Sequence, residues 1–264
     1  MDTNFHEIVN ENAPKLKNPH FVVDYEVKDV EKPFPSIASY MVFCGKSRSG
    51  KSSLITSILT NRRIYRNAFY NVIICLPKHS FSSMSEKDNP FIALDQEKVY
   101  HDFNYDVLEN IYNQIISYAS EEEDTLLLID DYASELKNRD LLKLLNSLVN
   151  NRHHLRLSIW MSVQTYKSIP LSNRKTINVL VLFKCSNKAE IKAIWEEMTF
   201  LSKDVFFDLL MYVFKKPYDY IVIDRDKNEY YRKFNKIEIY SKQDAAEKDK
   251  QKETDKKNNE KTNT

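Results

Sequence analysis

The chain has 264 residues, 42% of them hydrophobic and 29% charged, with a formal net charge of +1. That length suffices for one large α/β domain, or a domain with a small appendage, and can bury a sizeable core. The near-zero balance excludes a globally basic or acidic protein. The polar start MDTNFHEIVNENAPK is not a secretory signal, and no run of ~18 apolar residues offers a membrane span, so a soluble, non-secreted chain without a membrane partner is expected.

The chain opens with residues 1–36, an N-terminal extension. IASYMVFC (37–44) is an apolar, β-prone run, and SLITSILTNRRIY after the next loop has helical spacing. FYNVIICL (69–76) predicts a second strand, followed by the polar loop KHSFSSMSEKDNPF, expected to be mobile. Val107, Leu108, Ile111, Ile115 and Ile116 mark one face of a helix that runs into the acidic EEED. TLLLIDDY (125–132) is a continuous apolar run, as expected of a strand buried on both faces of a parallel sheet.

A helix carrying Leu141, Leu145 and Leu148 follows, with Asn138 and Asp140 as candidate caps. LSIWMSV (157–163) and INVLVLFK (177–184) predict two more buried strands. Strand and helix thus alternate through five strands, which argues for a parallel α/β sheet with right-handed crossovers. Beyond it lie two helices, around KAEIKAIWEEM and VFFDLLMYVF, and a hairpin of YDYIVI with EYYRKF. The reading divides the chain into a core at 37–198, a helix and hairpin extension at 199–240, and a charged tail at 241–264 expected to be disordered.

Cys44, Cys75 and Cys185 lie in apolar runs without C-x-x-C spacing, which points to buried, reduced thiols rather than a disulfide framework or a zinc site. His153 and His154 have no companion metal ligands nearby in sequence. Charge is unevenly placed: Glu86 to Glu135 holds fourteen acidic and two basic residues, and Lys137 to Lys192 eleven basic and two acidic. Two solvated faces, faces paired across the fold, or a basic surface for a polyanion all account for this.

The chain's two glycines both sit in GKSRSGKS (45–52), which matches G-x-x-x-x-G-K-[ST] between a strand and a helix. Backbone amides from Gly45, Lys46, Ser47, Arg48, Ser49, Gly50, Lys51, Ser52 and Ser53 can converge on a triphosphate, and Gly45 and Gly50 allow the close approach. Lys51 reaches the β- and γ-phosphates, and the Ser52 hydroxyl suits magnesium. Arg48, at the apex, reads as a solvent or partner contact.

Asp130 and Asp131 end a buried strand. The first suits the metal shell of a P-loop enzyme, and the second suits activation of water or, alternatively, caps the next helix. Gln164 ends another strand at the same expected sheet edge, as a γ-phosphate sensor or a loop amide. Arg152 and Arg174 border that strand and are candidates for an arginine supplied to a neighbouring subunit, or for structural contacts. A GTP-binding switch would carry [NT]-K-x-D, and the nearest string, NKAE at 187–190, lacks the aspartate. A small-molecule phosphotransferase gives little reason for the two acids with Gln164.

GKSRSGKS, LLLIDDY, NNRHHLRLSIWMSVQTY and IPLSNRKTINVLVLF together resemble the genome-packaging ATPases of nucleocytoplasmic large DNA viruses, the poxvirus-type relatives of the FtsK–HerA P-loop motors. The resemblance covers roughly residues 37–198. It implies an additional-strand ATPase core, ATP and Mg2+ as cofactor and metal, ring oligomers, and translocation of double-stranded DNA into a preformed capsid, in the host-cell cytoplasm and the virion. By position it implies that Lys51 and Ser52 hold phosphate and magnesium, Asp130 ligates the metal, Asp131 is the catalytic acid and Gln164 the sensor. Another FtsK–HerA-like DNA pump or helicase would share these motifs. DNA contact would be to the backbone and indifferent to sequence.

Overall fold

The computed structural model describes residues 30, 33–82 and 90–239. The N-terminal extension falls mostly outside them, and the charged tail entirely. The five expected strands all form: β1 (Tyr40–Cys44), β2 (Asn71–Cys75), β4 (Thr125–Asp130), β5 (Leu157–Val163) and β6 (Val179–Phe183), with a two-residue β3 (Val99–Tyr100) that no periodicity announced. All pair in parallel. Three antiparallel strands, β7 (Tyr220–Asp224), β8 (Glu229–Arg232) and β9 (Asn235–Ile237), extend the same sheet from β6. The order is β3-β2-β4-β5-β1-β6-β7-β8-β9, so β5 is inserted between β1 and β4. The hairpin expected near the C-terminus is therefore a continuation of the core sheet.

Alternation along β1 splits the core into two layers. Tyr40, Val42 and Cys44 point into a cluster with Leu108, Leu141, Ile194 and Phe206. These come from α3 (Tyr105–Ser120), α4 (Arg139–Asn151), α6 (Lys188–Met198) and α7 (Lys203–Val213). Met41 and Phe43 point to the other face, against Trp160, Tyr65 and α1 (Lys51–Thr60). The strands are buried on both sides, which is why they read as continuous apolar runs. Ile116 is exposed, because its neighbour Ile115 takes the core-facing position and consecutive helix residues point about 100° apart.

Helix starts follow their capping residues. The Asn138 side chain accepts from the amides of Asp140 and Leu141, Asn104 caps α3, Asn187 caps α6 and Ser202 caps α7. Among the described residues, Asp131 caps no helix, since Asn138 holds that position for α4. Helix α1 differs: Gly50 precedes it in the left-handed region at φ 101°, with no side-chain cap, so its first amides stay open. In the segment expected to be a polar loop, Lys78–Ser82 form a short helix α2, and residues 83–89 lie outside the described ones. Leu171–Arg174 form another short helix, α5. Among the described residues, no helix is long and apolar enough to cross a membrane.

Of the cysteines, Cys44 and Cys75 are buried and free, while Cys185 lies just past β6 and is half-buried. Burial pushes the Cys44 and Cys75 thiols far above their ordinary range. The charge asymmetry is partly consumed inside the fold. Arg156 lies 3.6 Å from Asp124 and 3.8 Å from Glu122, tying the basic stretch to the acidic run.

Candidate nucleotide site

The chain turns at the carboxyl end of β1 into the glycine loop, and both glycines have a steric reason. A Cβ on Gly45 would lie 2.7 Å from Phe183 Cβ and 2.7 Å from Ser49 Oγ, too close for any other residue. At Gly50 the constraint is conformational, since φ is 101°. Arg48 takes a positive φ of 61° at the exposed apex without being glycine. Phe183 is the partner that the sequence did not reveal. It belongs to β6, and only the strand order brings it beside Gly45.

Strand β5 links the two halves of the site. The Gly45 amide donates to Val163 O at 3.1 Å, and the Asp131 amide to Ser162 O at 3.0 Å. Phosphate loop and acidic pair thus hang from consecutive carbonyls of one strand. Asp131 follows β4 with a φ of 60°, a left-handed conformation uncommon for a residue with a side chain. Its carboxylate accepts from Gln164 Nε2 at 3.1 and 3.0 Å, one contact to each oxygen. A carboxylate only accepts, so the amide NH2 must face it.

Lys51 folds back over the loop, donating to Gly45 O at 2.6 Å and Lys46 O at 3.2 Å. Burial lowers its pKa, opposed by the charges of Asp130 and Asp131. Burial likewise raises the Asp130 carboxyl above its ordinary value, with Lys51 pulling the other way. Lys51, Ser52, Asp130, Asp131 and Gln164 line one cavity of about 290 Å³, close to the lower end of small-ligand pockets. Ser49 Oγ is buried in the loop with no hydrogen-bond partner. Open helix amides and an orphaned buried hydroxyl fit a phosphate chain. The hydroxyl of Ser52 and the carboxylate of Asp130 are oxygen donors of the kind magnesium takes alongside phosphates and waters.

The two candidate arginines sit elsewhere. Arg152 precedes β5 at the amino edge of the sheet, one strand length (roughly 17 Å) from the loop. Its Nε donates to Ala38 O at 3.0 Å and its Nη1 to Val149 O at 2.8 Å. Arg174 grips Glu197 through Nε at 2.9 Å and Nη2 at 3.0 Å, and Nη1 reaches Ile169 O at 3.1 Å.

A phosphate loop after β1, an acidic pair after β4 and a strand inserted between them define a nucleotide-binding P-loop protein of the additional-strand type. The family model described as Poxvirus A32 protein matches residues 31–257, and the chain belongs to that family. This bears out the poxvirus-type resemblance carried by the four sequence segments. Among solved structures, the chain is similar to B204, the DNA-packaging ATPase from Sulfolobus Turreted Icosahedral Virus, at 18% identity and a TM-score of 0.57, covering 77% of this chain and 99% of that one. The genome packaging NTPase B204 from Sulfolobus turreted icosahedral virus 2, in complex with AMPPCP, matches at 16% identity and a TM-score of 0.54, over 77% and 99% of the two chains. EssC (ATPases 2 and 3) from Geobacillus thermodenitrificans matches at 10% identity and a TM-score of 0.51, over 74% of this chain and 39% of that one. At these identities the structural likenesses speak for the fold. No curated protein matches the chain.

Proposed function

We propose that the chain is an ATP-hydrolysing motor that translocates double-stranded viral DNA into a preformed capsid. It works as a homo-oligomeric ring against a capsid component, in the host-cell cytoplasm where virions assemble, and can be carried into the virion. The observation that carries this reading is the contact of Gln164 with Asp131 in the cavity shared with Lys51, an acid and an amide of the kind that orient and deprotonate an attacking water beside a phosphate loop. Family membership and the fold shared with viral packaging ATPases support the task.

In this reading the amides of residues 45–53 cradle the phosphates, and Lys51 swings from its carbonyl partners to the β- and γ-phosphate oxygens. Asp131 accepts a proton from the water that attacks the γ-phosphorus, releasing ADP and phosphate, and Gln164 keeps its carboxylate aimed. A magnesium ion held by Ser52 and Asp130 would neutralise charge on the same oxygens. Arg152 is the better candidate for an arginine supplied in trans. In a head-to-tail ring a patch away from the nucleotide site of one subunit can meet that site in the next; Arg152 would have to release two backbone carbonyls to act there, whereas Arg174 would have to release the carboxylate of Glu197.

The test is ATP hydrolysis with and without double-stranded DNA at several salt concentrations, read beside the mass of the assembly. Stimulation by duplex DNA that falls steeply with salt is expected, because binding releases counterions from the backbone. An active monomer indifferent to DNA would sink the proposal.

A further inference from the structure

The loop after α7 places an aromatic ring beside the phosphate loop, in a backbone conformation that such a residue avoids. Tyr218 is 67% exposed and has a φ of 63°. Asp219 N donates to Lys216 O at 3.3 Å, closing a turn with Pro217 second and Tyr218 third. A positive φ at the third position is the pattern of a type II turn, where glycine or asparagine is the ordinary choice. An exposed tyrosine is unremarkable alone, but a bulky residue held there needs surroundings that enforce it.

Asp219 supplies them. It is fully buried, and its Oδ2 accepts from the amides of Lys215 at 3.1 Å and Lys216 at 2.8 Å and from Arg232 Nη2 at 3.1 Å. Lys233 Nζ lies 2.7 Å from Oδ1. Lys233, the Lys216 amide and Arg232 together hold the carboxyl well below the usual carboxylate range, against the effect of burial. The turn is thus pinned to β7 and the β8–β9 hairpin from beneath.

The ring's location gives it a use. A Cβ placed on Gly50 would lie 3.4 Å from Tyr218 Cδ1 and 3.5 Å from Phe183 Cε1. The sheet order sets β4 and β5, with Asp130, Asp131 and Gln164, on one side of β1, and β6 and β7 on the other. If the terminal phosphate lies at the acids, the phosphate chain crosses α1 and the nucleoside leaves on the β6–β7 side, where Tyr218 stands.

We propose that Tyr218 is the platform on which the base of the bound nucleotide stacks, and that Asp219, through the turn, is its positioning residue. This rests on the nucleotide-binding reading of the preceding sections. Base–aromatic stacking carries enough free energy to change affinity by about tenfold or more.

The experiment measures equilibrium binding of ATP and of inorganic tripolyphosphate, which has no base, to the full chain by calorimetry. Tyr218→Ala is expected to weaken ATP about tenfold and leave tripolyphosphate unchanged, with Tyr218→Phe close to wild type for both. Asp219→Asn should reproduce the Tyr218→Ala pattern, with a thermal melt confirming that it folds. Equal losses for both ligands, or none for either, in Tyr218→Ala would overturn the inference. If the wild type binds tripolyphosphate as tightly as ATP, this inference alone fails. If it binds neither, the nucleotide reading fails and takes the inference with it.

Discussion

Gln164 donates its amide nitrogen to both oxygens of Asp131, at 3.1 and 3.0 Å, across the gap between the ends of β5 and β4. The contact makes the aim of the acid depend on a residue thirty-three positions away in the chain. Gln164→Ala should therefore lower kcat for ATP by up to about 100-fold, the lower end of an acid–base contribution because the acid itself remains, with KM little changed. Gln164→Glu should cost more and shift the acid limb of the pH–rate profile upward, because a second carboxylate disfavours the ionised form of the first. Steady-state ATPase kinetics across pH would check both.

Asp130 would show what its proposed metal-binding role costs in stability. Burial raises its folded pKa above the unfolded value, so the folded state holds the proton to higher pH than the unfolded state does. Stability from this group is therefore intact below the ordinary carboxylate pKa and falls as pH rises through the raised one. Asp130→Asn should raise Tm at neutral pH by a few degrees, at about 2–4 °C per kcal/mol for a chain of this size. The gain should vanish in acid, and hydrolysis should be lost at every pH. Calorimetry over a pH series would show whether the two curves converge.

The crowding at Gly45 predicts a different kind of failure. Its missing Cβ would meet a Cβ, not the free end of a flexible side chain, so β6 or the loop must shift. Gly45→Ala should destabilise the chain by about 1–3 kcal/mol, the usual cost of overpacking. Gly50→Ala should weaken nucleotide binding through backbone strain instead. Denaturant melts and nucleotide titrations on the two variants would separate these effects.

If Arg152 acts in trans, Lys51→Ala and Arg152→Ala subunits should each be inactive alone and regain part of the activity when mixed. An intact loop from one would then meet an intact arginine from the other. Arg174→Ala should behave otherwise. It leaves the Glu197 carboxylate without its cation, with only the Tyr166 hydroxyl still donating to it, and should cost about 2–3 kcal/mol of subunit stability. Mixing assays and melts of the separate variants would decide between the two arginines.

The strands were legible in the sequence because they are buried on both faces. The start of α4 was legible because Asn138 marks it, whereas Asn104, Asn187 and Ser202 emerged as caps only in the structure. The site residues at the ends of β1, β4 and β5 followed from that alternation, since parallel strands bring their carboxyl ends to one edge. Strand order was not legible from the residues alone. Nothing near Phe183 says that it will lie against Gly45, and nothing near Tyr218 announces that its turn will stand beside Gly50. The short β3 and β9 are held by their sheet neighbours rather than by any period of their own. Asp219 escaped notice for a related reason: Arg232 and Lys233, which make it a buried anchor, come from the next hairpin.

The carbonyls of Ser162 and Val163 give β5 a second role beyond completing the sheet. They fix the offset between two walls, the glycine loop on one side and the acidic pair on the other, as a ruler with two adjacent marks. A chain built this way cannot retune one wall by sliding β5 without dragging the other. Changes in rate must come instead from the side chains at the strand tips, and the spacing of the two walls should be the least negotiable dimension of the molecule.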